Sequence, residues 1–107
     1  MWPRVIPAGH TRVYRAVSEA EYQDIVRTGK LRQGPNSMEG KWFGDTPECA
    51  RLHGDALEAV GKYRLIEVDI PNNAPSLHLD PNLDLRGPAR YLDGSDLPGL
   101  TPRPYRR

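Results

Sequence analysis

The chain has little of what usually identifies a protein at sight. It holds one cysteine, Cys49, in 107 residues, so no internal disulfide and no cysteine pair for zinc can form. Its three histidines, His10, His53 and His78, stand far apart, without the close spacing that metal ligation needs. No apolar run approaches the roughly 20 residues of a membrane-spanning helix, and Met1-Trp2-Pro3-Arg4 does not read as a signal peptide. Charge is nearly balanced, with 15 basic and 14 acidic residues, which leaves no global field for nucleic acid or membrane. Phosphate loops, nucleophile elbows and paired cysteines are missing as well.

What is present suits one small domain. Eleven prolines and ten glycines argue for loops and against a helical bundle. Residues 1–12 read as an extended lead-in, 13–97 as the domain, and 98–107 as a tail rich in Pro and Arg. Alternation of Val13, Arg15 and Val17 with Tyr14 and Ala16 predicts a strand. Ser18 as N-cap with Glu21 three residues on forms a capping box, and Gly29 supplies the stop, so the next element is a helix over 19–28.

Turn formers fill 30–40, and Lys41-Trp42-Phe43 reads as a short strand. Thr46-Pro47-Glu48 opens a second helix, stopped by Gly61 and weakened in its middle by Gly54. Tyr63–Ile70 is the strongest strand, with Ile66, Val68 and Ile70 on one face and Leu65, Glu67 and Asp69 on the other. Short strands follow at 76–79 and 87–92. The order implies an α+β fold with a mixed or antiparallel sheet and two helices.

Three places can carry chemistry. Arg15 lies inside the first strand, where a guanidinium needs an anionic partner. That partner is either a structural carboxylate, for instance Glu67 or Asp69, or a ligand phosphate. The stretch Asn36-Ser37-Met38-Glu39-Gly40-Lys41-Trp42-Phe43 gathers an amide, a hydroxyl, an acid, a base and two aromatics. Such a loop can hydrogen-bond and stack a ligand, or it can place Trp42 and Phe43 in the core. Arg90 and Tyr91, after Gly87-Pro88, can close a site or decorate an edge strand.

Taken together, Val13-Tyr14-Arg15-Ala16-Val17-Ser18, the helix ending Ile25-Val26-Arg27-Thr28-Gly29, Gly40-Lys41-Trp42-Phe43, the helix after Thr46-Pro47 and the strand Leu65–Ile70 resemble ADP-ribosyltransferase-fold domains. Gly87-Pro88-Ala89-Arg90-Tyr91 is similar to endings of carboxy-terminal toxin tips of bacterial Rhs and contact-dependent growth inhibition proteins. The resemblance implies a toxin effector that takes NAD as substrate, needs no metal, and transfers ADP-ribose to a protein or RNA target. It assigns NAD binding to Arg15, with Asn36, Ser37, Trp42, Phe43, Arg90 and Tyr91 around the ligand and Lys41 in the chemistry. An acid is required as well, from Glu39, Asp96 or Glu67; the strand at 90–91 carries Arg-Tyr where the family has that acid. It further implies a cognate immunity protein, a monomer without membrane contact, and delivery to a competitor's cytoplasm within a larger secreted or surface-displayed protein.

Two other readings stay open. A metal-independent ribonuclease toxin acting on tRNA would draw on His10, Arg15, Lys41, His53 and Arg90. A non-catalytic binding module would use the aromatic loop alone.

Overall fold

A computed structural model describes residues 5–31, 40–57, 61–83 and 86–105. The elements in chain order are β1 (His10–Val17), α1 (Glu19–Thr28), β2 (Lys41–Gly44), α2 (Pro47–Leu57), β3 (Arg64–Pro71), β4 (His78–Asp80), β5 (Ala89–Leu92) and β6 (Arg103–Pro104). A 3-10 turn spans Gly94–Asp96 between β5 and β6. The six strands form one sheet in the order β4-β5-β2-β1-β3-β6, and every pairing is antiparallel. The sheet expected as mixed or antiparallel is therefore antiparallel throughout the described residues.

Both helices start as their sequences dictate. Ser18 Oγ accepts the Glu21 N–H at 3.2 Å, and Gly29 ends α1 at φ 72°, where a side chain would be strained. Thr46 Oγ1 accepts the Cys49 N–H at 3.1 Å and caps α2, with Pro47 as its first residue. Gly61, expected to stop α2, has φ 76°; positions 58–60 between it and Leu57 lie outside the described residues.

Register assigns the faces. Val13 stands opposite Val68, and Arg15 opposite Ile66, so these side chains share the face that α1 covers. There Val13, Val17, Ile25, Leu31, Phe43, Ile66, Val68, Ile70 and Leu92 form the core. The opposite face carries Tyr14, Ala16, Trp42 and Gly44, and α2 packs on it. Small residues let α2 approach closely. A Cβ at Gly44 would stand 2.9 Å from the Ala50 backbone nitrogen, and one at Gly54 would stand 2.7 Å from the Ala16 Cβ. Gly54, which weakens a helix read by propensity alone, is thus the residue that lets α2 seat.

Two strands reach past the bounds 13–97 read for the domain. β1 begins at His10, inside the segment read as a lead-in. Within the segment read as a tail, Leu100 is buried in the core, and Arg103 pairs with Glu67 in strand register. Arg103 Nη2 donates to Glu67 Oε2 at 3.0 Å and to Asp69 Oδ2 at 3.3 Å, while Arg12 Nε donates to Asp69 Oδ1 at 2.8 Å. Two arginines thus face two carboxylates across β1, β3 and β6. One of the two readings of Arg15 paired it with Glu67 or Asp69; Arg12 and Arg103 fill that place, because Arg15 lies on the other face.

Candidate functional site

The sheet is split at its centre. β1 pairs with β3 through eight residues and β2 with β5 through four, but β1 and β2 register only at Tyr14 and Gly44. Beyond that point the strands part, and the carbonyl of Trp42 needs a donor other than a neighbouring strand. Arg15 Nη1 supplies it at 3.1 Å. This bond fixes the guanidinium at the mouth of the split.

A cleft opens at this place. The sheet contributes Tyr14, Arg15, Ala16, Trp42, Phe43 and Gly44, all from the two parting strands. The helix α2 contributes Ala50, His53, Gly54 and Leu57. Its volume is about 80 Å³. Pockets that enclose a drug-sized ligand hold roughly 300–1,000 Å³. The cleft therefore accepts one ring-sized group, and the remainder of a larger ligand lies outside it. Burial, together with the nearby Glu67 charge, pushes the Tyr14 phenol above its ordinary value, so Tyr14 stays a neutral hydrogen-bonding group.

Next to Arg15, on the α1 face, a charged cluster joins three elements. Glu21 Oε2, on α1, lies 3.6 Å from Arg15 Nε and 3.3 Å from Lys41 Nζ. The capping-box reading gave Glu21 a structural job. Its backbone N–H does meet Ser18, but its carboxylate goes to the two cations. Sequence reasoning missed Glu21 as a site residue. The available signal was its place one turn into the helix that follows the Arg15 strand.

The aromatic side runs across β2, β5 and β4. The Trp42 ring lies 5.2 Å from Tyr91 and 6.0 Å from His78, centroid to centroid. Tyr91 Oη accepts the Gly40 N–H at 2.9 Å, which ties the segment entering β2 to β5. His78 was not among the expected site residues; register alone places it opposite Tyr91.

Of the residues expected to act, Arg15 and Lys41 share Glu21 on the α1 face and Trp42 meets Tyr91 on the opposite face, with Arg15 and Trp42 both lining the cleft. Phe43 is 1% exposed and is a core side chain on the α1 face. Arg90 Nε pairs with Asp45 Oδ1 at 3.0 Å. Asp96 lies elsewhere: its carboxylate accepts the Ser76 N–H and hydroxyl, and it lines a separate hollow of about 370 Å³ beside Pro71 and Leu100. Glu67 is held by Arg103. Asn36, Ser37 and Glu39 lie outside the described residues. Of the ribonuclease set, His53 lines the cleft, whereas His10 sits at the far end of β1 with Nδ1 3.0 Å from the Ala8 carbonyl.

Among the described residues, no group of three His, Cys, Asp or Glu is placed to hold a metal ion, and no helix is long and apolar enough to cross a membrane. Comparison with known families, curated proteins and solved structures finds no match to this chain.

Proposed function

We propose that the chain is a toxin effector domain that binds NAD at the split between β1 and β2 and transfers its ADP-ribose to a macromolecule. The observation that carries this reading is Arg15, held at the split by the Trp42 carbonyl, sharing the Glu21 carboxylate with Lys41, and lining a cleft that Trp42 also lines. Cations there suit a pyrophosphate. An aromatic wall beside a ring-sized cleft suits a nicotinamide. In transfer, the bond between nicotinamide nitrogen and ribose breaks, and its electron pair goes to the pyridinium nitrogen. A nucleophile of the target then bonds the ribose carbon and loses its proton. Site groups promote this by holding the dinucleotide and stabilising the developing charge.

The resemblance to ADP-ribosyltransferase-fold domains agrees with the order of parts: an arginine on the first strand, an aromatic strand beside it, and helices after each. The expected acid is Glu39, since Asp96 and Glu67 are engaged away from the cleft. An immunity protein would act by covering this cleft, and a protein or RNA in the recipient cytoplasm would be the acceptor. The ribonuclease reading draws support from one observation, that His53 and Arg15 line the same cleft.

The test is incubation of the purified domain with cell extract and NAD labelled in its adenylate half, with the RNA of the same tubes run on a gel. Label on protein or RNA, lost in Arg15→Ala and Lys41→Ala, is the expected result. Discrete tRNA fragments without label would replace this reading with the ribonuclease, and neither signal would leave a binding module.

A further inference from the structure

Arg15 and Lys41 already share an anion. Glu21 Oε2 alone lies within 3.6 Å of Arg15 Nε and 3.3 Å of Lys41 Nζ, so a single oxygen at that point reaches both cations. The contact is nevertheless unfinished. Arg15 Nε and Glu21 Oε2 are buried atoms, and neither closes a hydrogen bond. The charges are also unequal. On the far half of the sheet two arginines meet two carboxylates, with their closest contacts at 2.8 and 3.0 Å; at the split, among the described residues, two cations meet one.

We propose that the Glu21 carboxylate is a built-in counter-ion, which holds the anion position at the split and is exchanged for a phosphate or diphosphate group of the substrate. Three features make the exchange inexpensive. Arg15 is oriented by the Trp42 carbonyl and does not need Glu21 to hold its guanidinium. The helix α1 is capped by Ser18 through the Glu21 N–H, so the carboxylate can leave without uncapping the helix. The Glu21 side chain is 26% exposed, which gives it a path to water. A diphosphate brings more negative charge than one carboxylate and offers several acceptor oxygens to the same two donors. In the empty protein, Glu21 spares two neighbouring cations an unpaired, partly buried state.

This inference rests on the NAD-site reading only for the identity of the ligand, and inorganic pyrophosphate separates the two. Calorimetric titration with pyrophosphate compares wild type, Glu21→Gln, and Glu21→Gln combined with Arg15→Ala, with thermal melts to confirm folding. Glu21→Gln is expected to bind pyrophosphate about fivefold tighter, the upper end of what one partly exposed ion pair contributes, and the added Arg15→Ala is expected to remove the gain. Equal or weaker binding by Glu21→Gln, or no binding by any of the three, overturns the exchange. Should Glu21→Gln fail to fold, the side-chain carboxyl carbon resonance of Glu21 in wild type serves instead. It is expected to shift as pyrophosphate is added, and a resonance that stays in place overturns the proposal. A gain for pyrophosphate with no binding of NAD keeps the counter-ion and removes the NAD reading; NAD binding without the gain does the reverse.

Discussion

Replacing Gly54 by alanine sets helix propensity against packing. In an exposed helix interior the change gains about 1 kcal/mol. Here the new methyl would lie 2.7 Å from the Ala16 Cβ and 2.9 Å from the Tyr63 ring, whereas carbon atoms rest at about 3.5–4.0 Å. Ala16 is fixed by β1, and Tyr63 is tethered by the hydrogen bond its hydroxyl donates to the Asp55 carboxylate at 2.8 Å. Neither neighbour yields easily, so α2 must withdraw. Overpacking of this kind costs about 1–3 kcal/mol. The net effect is a loss of about 1 kcal/mol, seen as a fall of about 4–8 °C in Tm. Because Gly54 lines the cleft, the withdrawal also reshapes the site, and NAD binding should weaken beyond the loss of stability. The assays are thermal melting and ligand titration on the same variant. A rise in Tm would refute the close seating of α2 on β1.

Other groups answer to other perturbations. Hydrogen bonding from Arg12 holds the Asp69 carboxyl below its ordinary value, with the Arg12 and Arg103 charges adding to it. A folded pKa below the unfolded one stabilises the fold above about pH 4 and is lost as pH falls through the folded value. Asp69→Asn should therefore flatten the acid limb of stability against pH, measured by urea unfolding. Ser18→Ala should cost about 1 kcal/mol by removing the cap of α1, read from the same unfolding curves. Burial, with Asp45 nearby, pushes the Cys49 thiol up, so a thiol reagent should label the native protein far more slowly than the urea-unfolded chain.

Local chemistry made much of this architecture legible. Ser18 and Gly29 bracket α1 at Glu19–Thr28, the span that periodicity and caps predict. Alternation in β1 and β3 names the buried face, because one face of each strand packs apolar side chains and the other carries charged ones such as Arg12, Glu67 and Asp69. What stayed hidden depends on contacts between distant residues. β6 is two residues long and includes Pro104, and its place comes from Arg103 meeting Glu67 and Asp69, which no local pattern encodes. The role of Gly54 is a packing fact about Ala16 and Tyr63, not a helix fact. The site follows the same rule. Arg15, Lys41, Trp42 and Tyr91 were legible as residue types, but the pairing of Arg15 with Lys41 through Glu21 and of Trp42 with Tyr91 was not, and Glu21 was hidden behind a capping role that its backbone does perform.

The central claim is that Arg15 at the split binds a dinucleotide. Titration calorimetry of NAD into wild type and Arg15→Ala, both checked for an unchanged fold by circular dichroism, tests it directly. Saturable binding by wild type that falls at least about tenfold in Arg15→Ala, as loss of a charged hydrogen-bonding partner predicts, is the expected result. No binding by wild type, or equal binding by both proteins, would contradict the account.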